Sequence, residues 1–145
     1  IEQLKNKYNV PADLIHFEIT ESAYSGEQDK LIERIEKIRE LGFKIAMDDF
    51  GSGYSSLNIL KDLPIDILKL DMGFMRRSKN TDKGQIVIES VVGLAKKLNF
   101  IIVAEGVETQ EQADFLRETG CDIIQGYLYS KPVAEPQFLE LIKNN

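Results

Sequence analysis

Five short apolar segments, at 14–20, 43–47, 65–70, 100–104 and 122–124, recur along this chain with helical patterns between them. That alternation constrains the fold more than any single motif. Strands joined by helix-length connections favour right-handed βα units in a parallel sheet, with helices on one face or both. Each segment also carries a polar group in or just after its C-terminal end: Glu18, then Asp48 and Asp49, then Lys69 and Asp71, then Glu105 and Glu108, then Gln125. In a (β/α)₈ barrel these positions share one rim, the rim on which active sites are built. Taken singly, each has a plain structural explanation: Lys69 as a snorkelling surface lysine, Glu105 or Glu108 as an acid favoured by a helix N-terminus. Taken together, five strand ends converging on one rim point to a site.

The densest stretch is FKIAMDDFGSGYSSL, residues 43–57. Phe43, Ile45 and Met47 alternate with Lys44 and Ala46, and the apolar run stops at the carboxylates Asp48 and Asp49, so the strand delivers both to its C-terminal edge. Phe50, Gly51, Ser52, Gly53, Tyr54 and Ser55 then form a loop. Its glycines allow backbone conformations other residues resist, and its serines can cap the helix that follows. A solvated, capped turn and an active-site loop both fit this stretch alone.

The remaining elements are packing elements. Residues 1–9 read as a helix tail closed by Pro11. His16, the only histidine, falls in the apolar run LIHFEIT and is a strand residue before it is a catalyst; Glu18 in the same strand is costly without a partner. Apolar residues at helical spacing predict a helix over 27–41 with Gly42 just past its end, a short helix reaching Lys61, and the longest helix over 86–98, where Gly93 would allow a close neighbour. Thr109 and Gln112 form a capping-box pattern for a helix that stops at Gly120, and a last amphipathic helix covers 136–143.

With 145 residues, 43% hydrophobic and 29% charged, the chain has the composition of one folded domain. Eighteen Lys and Arg against 24 Asp and Glu give a net charge of −6, which argues against binding a nucleic-acid polymer or an anionic membrane surface. An anionic ligand would therefore need metal ions. A single cysteine, Cys121, excludes a disulfide framework and, with one histidine, a zinc motif; we expect Cys121 to be a small buried hydrophobe in a reducing, cytoplasmic setting. No apolar run approaches the ~20 residues of a membrane span. The chain opens at Ile1 inside a helical pattern, so it reads as a piece of a longer protein.

The blocks FEITES (17–22), DDFGSGYSSL (48–57), LPIDILKLD (63–71), AEGVET (104–109) and QGYLYSKP (125–132) resemble, in order, the EAL-domain phosphodiesterases that open cyclic di-GMP. The resemblance implies an α/β fold, a modified TIM-like barrel with one antiparallel strand. Such barrels run to ~250 residues, so 1–145 would be the C-terminal part of a single EAL domain, about five of eight βα units. The segment with the Glu-Ala-Leu signature, and the following strand with an asparagine ligand, are absent.

Carried over by position, Glu18 and Asp48 resemble ligands of one metal, with Asp48 bridging to a second that Asp49 also holds; two Mg²⁺ or Mn²⁺ ions suit such oxygen donors. Lys69 resembles the lysine beside the attacking water, and Glu105 a metal-site acid or proton acceptor. Asp71 and Glu108 resemble groups that hold Lys69 in place, and Gln125 the glutamine that steadies water at the metals. Glu21 resembles the residue that anchors the loop of residues 48–57, which in the family links the metal site to dimerisation and regulation. Ser52 replaces a frequent threonine, and Met72 and Gly73 a frequent arginine and serine; neither change removes a proposed ligand. The resemblance thus implies a parent protein that hydrolyses cyclic di-GMP to linear pGpG, self-associates and carries sensor or cyclase domains. The 145-residue chain alone is expected to be inactive. A non-catalytic nucleotide-binding or dimerisation module is the alternative.

Overall fold

The computed structural model describes residues 2–25, 28–51, 57–71, 73 and 82–143. Helix α1 (Glu2–Tyr8) ends where Asn9 adopts a left-handed backbone, and a 3₁₀ turn at Ala12–Leu14 leads into strand β1 (His16–Thr20). Then follow α2 (Gln28–Glu40), β2 (Lys44–Phe50), α3 (Leu57–Asp62), β3 (Ile67–Asp71), α4 (Asp82–Lys97), β4 (Ile101–Glu105), α5 (Gln110–Thr119), β5 (Ile123–Ile124) and α6 (Glu135–Lys143).

All strand pairs are parallel, and the sheet order β1-β2-β3-β4-β5 is the order of the sequence. A sheet whose order never reverses winds in one direction, as a barrel does, whereas a doubly wound sheet changes direction at a switch point. Side-chain alternation separates its two faces. Ile45, Met47, Leu68, Leu70, Ile102 and Ala104 pack in one core with Ile35 of α2, Leu60 of α3, Val92 of α4 and Leu116 of α5. The intervening residues Ala46, Ile67 and Val103 form a small separate cluster that contains no helical residue. Helices therefore cover one face, and the other is the inner face of a partial TIM-like barrel, five consecutive βα units long. Fully buried residues such as Ile45, Met47 and Leu68 each stabilise this layer by roughly 1.5–3 kcal/mol.

Local signals explain most boundaries. Gly42 (φ 88°) turns the chain out of α2, and an added Cβ there would lie 3.2 Å from Ala12 Cβ. Thr109 and Gln112 make the expected capping box: Thr109 Oγ1 accepts from Gln112 N, and Gln112 Oε1 accepts from Thr109 N. Gly120 ends α5 in a left-handed conformation, its N–H donating back to Leu116 and Arg117 carbonyls. Two expectations are corrected. Among the described residues nothing lies within 4 Å of where a Cβ on Gly93 would sit, so no close neighbour there accounts for this glycine. The 43–47 strand does not stop before the carboxylates but runs through them to Phe50, because a bulge absorbs one residue.

The N-terminal edge of the sheet is held by two aspartates. Asp66 N donates to Ile45 O, its Oδ2 accepts from Ile45 N at 3.0 Å, and its carbonyl accepts from Ile101 N, so one residue ties β2, β3 and β4. Asp122 repeats the device between β4 and β5: its N donates to Ile102 O and its Oδ2 accepts from Ile102 N at 2.8 Å. Each carboxylate also meets a cation from the helical layer, Arg39 for Asp66 (3.2 Å) and Lys96 for Asp122 (2.6 Å).

Candidate active site

Inward-facing positions at the strands' C-terminal ends bring Glu18 (β1), Asp48 (β2), Lys69 (β3) and Glu105 (β4) together. The Lys69 ammonium is 2.5 Å from Glu18 Oε1, 2.8 Å from Asp48 Oδ1 and 3.2 Å from Glu105 Oε1. Its side chain is only 13% exposed. Burial alone would lower its pKa, but three carboxylate partners outweigh burial and hold it above the ordinary lysine value. Burial also pushes the Glu105 carboxyl up; Lys69 opposes this, and the negative charges of Asp48 and Glu18 add to it.

The bulge in β2 shapes the acidic pair. Met47 pairs with Leu68 but Phe50 pairs with Leu70, so two residues of β2 oppose one of β3. Asp49 takes up the extra length with φ 56°, a left-handed conformation that Asp tolerates better than most residues. Neighbouring strand residues ordinarily face opposite sides. Here Asp48, Asp49 and Glu105 each present a carboxylate oxygen, all within 4.8 Å of one another.

These residues fit a divalent cation on two counts. All donors are carboxylate oxygens, the chemistry hard cations such as Mg²⁺ and Mn²⁺ prefer. In addition, Asp48 Oδ1 is buried at the centre of the group, and the partner it has among the described residues is the charge of the Lys69 ammonium at 2.8 Å. One ammonium shared among three carboxylates leaves net negative charge, which a divalent cation would neutralise.

The other expected site residues are distributed around this centre. Asp71 ends β3 and its Oδ1 accepts from Gly73 N at 2.6 Å. Glu108 lies just before α5, its N–H donating to Gln112 Oε1 at 2.9 Å. Gln125 follows β5, its N–H donating to Ala104 O and its carbonyl accepting from Val107 N. Phe50 is buried and Gly51 is left-handed at φ 96°. Glu21 begins a 3₁₀ segment, Glu21–Ser25, but its side chain lies outside what is described, as do Ser52, Gly53, Tyr54 and Ser55 entirely. Sequence reading missed the bulge and the aspartates Asp66 and Asp122. Each aspartate stands three residues before a site residue, in IDILK (65–69) and CDIIQ (121–125), but that spacing alone does not mark it, because its bonds to Ile45 and Ile102 are long-range.

The pattern of the EAL domain family matches residues 1–132. The chain belongs to the EAL domain family. Over 140 residues it is 41% identical to the cyclic di-GMP phosphodiesterase RocR of Pseudomonas aeruginosa, covering 97% of this chain and 36% of that protein. It is 42% identical over 132 residues to the cyclic di-GMP phosphodiesterase NbdA of the same organism, covering 91% of this chain and 17% of NbdA. This EAL chain thus spans about a third or less of those relatives. Among solved structures, the EAL domain of Mycobacterium smegmatis DcpA is similar at a TM-score of 0.89 and 32% identity, over 99% of this chain and 64% of that one. The manganese and cyclic di-GMP complex of Klebsiella pneumoniae BlrP1 is similar at 0.83 and 32% identity, over 90% of this chain and 33% of that one.

Proposed function

We propose that the protein carrying this EAL segment is a divalent-metal-dependent phosphodiesterase that hydrolyses cyclic di-GMP to linear pGpG. The observation that carries the reading is the convergence of carboxylate oxygens of Asp48, Asp49 and Glu105 within 4.8 Å of one another, beside the Lys69 ammonium. Asp48, Asp49 and Glu18 would hold the ions, with Glu105 beside them. Two ions held there would supply the positive charge that an in-line displacement at phosphorus needs. The chain's own groups do the rest. With Glu18 and Asp48 engaged by the ions, Lys69 would be released to turn an N–H to the attacking water and offer positive charge to the phosphoryl oxygens. Glu105 accepts the water's proton, and Gln125 orients water at the same rim. One P–O bond forms to water and one breaks, and the released 3′ oxygen takes up a proton. Asp71 and Glu108 would limit where the Lys69 ammonium rests, and Glu21 and the loop from Phe50 to Ser55 would link this rim to dimerisation and regulation. The setting is cytoplasmic signalling, with sensor or cyclase domains elsewhere in the parent; among the described residues no helix is long and apolar enough to cross a membrane.

The test is direct. The full-length parent and its Asp48→Ala variant are incubated with cyclic di-GMP under Mg²⁺ or Mn²⁺, and products are read by mass spectrometry. Linear pGpG from the wild type alone is expected; no product from the wild type sinks the reading. The isolated 145-residue chain is expected to be inactive, and appreciable turnover by it would overturn that part.

A second reading, a non-catalytic self-associating module, is favoured by one observation. Strands β1 and β5 are the outer strands of the sheet, and Ile101 and Ile123 are exposed. Free edges and apolar residues of this kind invite pairing with another copy. A monomer in light scattering, without binding of an apolar dye, would count against it.

A further inference from the structure

Asp66 and Asp122 stand at the far end of the sheet from the candidate site, yet each lies three residues before one of its groups. Asp66 joins Ile45 through a reciprocal backbone and side-chain pair, and three residues on from these lie Lys69 and Asp48. Asp122 joins Ile102 in the same way, and three residues on lie Gln125 and Glu105. Between base and rim the parallel register runs without a slip: Ala46 with Ile67 and Met47 with Leu68 in one case, Val103 with Ile123 and Ala104 with Ile124 in the other. Because side-chain direction has period two, a one-residue slip in either pair would turn the rim residue to the other face.

The need for such a lock differs between strand pairs. β2 carries a bulge at its upper end, where one extra residue already loosens the ladder. β5 contributes only two residues to its ladder. In both places few backbone bonds oppose slippage near the site, and in both a carboxylate clamps the base. The cations Arg39, Lys44 and Lys96 hold the carboxylates but do not touch the neighbouring strand's N–H.

We infer that Asp66 and Asp122 are positioning residues for the rim, fixing the register that sets Lys69 beside Asp48 and Gln125 beside Glu105. The inference rests on the reading of the rim as a metal-dependent catalytic site.

The test uses the full-length parent with Asp66→Ala, Asp66→Asn and Arg39→Ala, each first shown to be folded by its melting curve. Asparagine keeps an oxygen for Ile45 N, alanine does not, and Arg39→Ala removes only the cation. Asp66→Ala is expected to weaken Mn²⁺ binding, measured by calorimetry, and to lower kcat, each by on the order of ten- to a hundredfold, with KM little changed. Asp66→Asn is expected to restore most of both, and Arg39→Ala to leave both near wild type. A third readout is independent of function: Lys69 should acetylate faster in Asp66→Ala than in wild type or Asp66→Asn, by mass spectrometry of the modified peptide. Asp66→Ala with a lowered melting temperature but unchanged Mn²⁺ affinity, kcat and Lys69 acetylation would overturn the inference. A wild type that neither binds Mn²⁺ nor cleaves cyclic di-GMP would sink the functional reading instead, and the acetylation comparison alone would then decide the positioning role.

Discussion

Lys69 and Glu18 are 51 residues apart in the chain and 2.5 Å apart in space. Their contact closes a ring in which the ammonium also meets Asp48 and Glu105, so carboxylates from three strands share one cation. A half-buried group of acids needs positive charge at hand, and Lys69 supplies it from inside the chain.

Replacing Lys69 by Met should therefore cost stability as well as activity. With the ammonium gone, three neighbouring carboxylates repel one another, a loss on the order of 1–3 kcal/mol at neutral pH. The deficit should shrink as pH falls and the acids take up protons, and should also shrink when Mn²⁺ is added. Melting curves of Lys69→Met and wild type at neutral and acid pH, with and without Mn²⁺, check this. A deficit independent of both would refute it.

Metal binding should stabilise the folded protein, since the ligand oxygens converge only there. At a free Mn²⁺ concentration about a hundred times the dissociation constant, the gain is about 2.7 kcal/mol. Asp48→Asn should abolish most of it, because it removes one charged carboxylate from the group that Asp48, Asp49 and Glu105 form. Thermal shifts of chelator-treated protein before and after Mn²⁺ addition are the measurement.

The backbone at Gly126 lies so close to Val107 that an added Cβ would fall 2.0 Å from Val107 O and 2.3 Å from its N. Gly126→Ala must therefore displace the main chain where Val107 N donates to Gln125 O and Leu128 N donates to Val107 O. We expect a loss of roughly 1–3 kcal/mol, in the range of overpacking substitutions, and a matching fall in melting temperature. An unchanged melting temperature would mean the two segments part without cost.

Asp66 gives the fold an acid limb. Burial would raise its pKa, but the Ile45 N–H and the Arg39 guanidinium, with Lys44 nearby, hold it below the ordinary aspartate value. A carboxylate depressed in the folded state contributes stability above its unfolded pKa of about 3.9, and this is lost as pH falls through the lower folded value. Chemical denaturation of wild type between pH 6 and about 2 should show this loss, and Asp66→Asn should be less stable at pH 6 with a shallower acid slope. Parallel curves would rule out the linkage.

Much of this was legible in the sequence. Strand–helix alternation gave the parallel sheet, and Gly42, Thr109, Gln112 and Gly120 behave as their local chemistry requires. Glu18, Asp48, Lys69 and Glu105 were visible as strand-end polar groups, because polar residues interrupting apolar runs stand out. Asp66 and Asp122 were not, since an aspartate just before a strand reads as ordinary turn chemistry and its bonds to Ile45 and Ile102 are long-range. The bulge was hidden for a similar reason. Asp48 and Asp49 look like the end of a strand, and only pairing with β3 reveals that the strand continues.

The bulge also sets how this segment can vary in length. A regular strand offers one face a functional group at every second residue, spaced by nearly 7 Å. By crowding two adjacent carboxylates onto one side, β2 concentrates negative charge beyond what any substitution in a regular strand could achieve. That concentration depends on a single supernumerary residue. Deleting Asp48 or Asp49, the two residues between Met47 and Phe50, would restore an ordinary ladder and leave a single carboxylate there, whichever of the two is removed. At this place the count of residues matters as much as their identity.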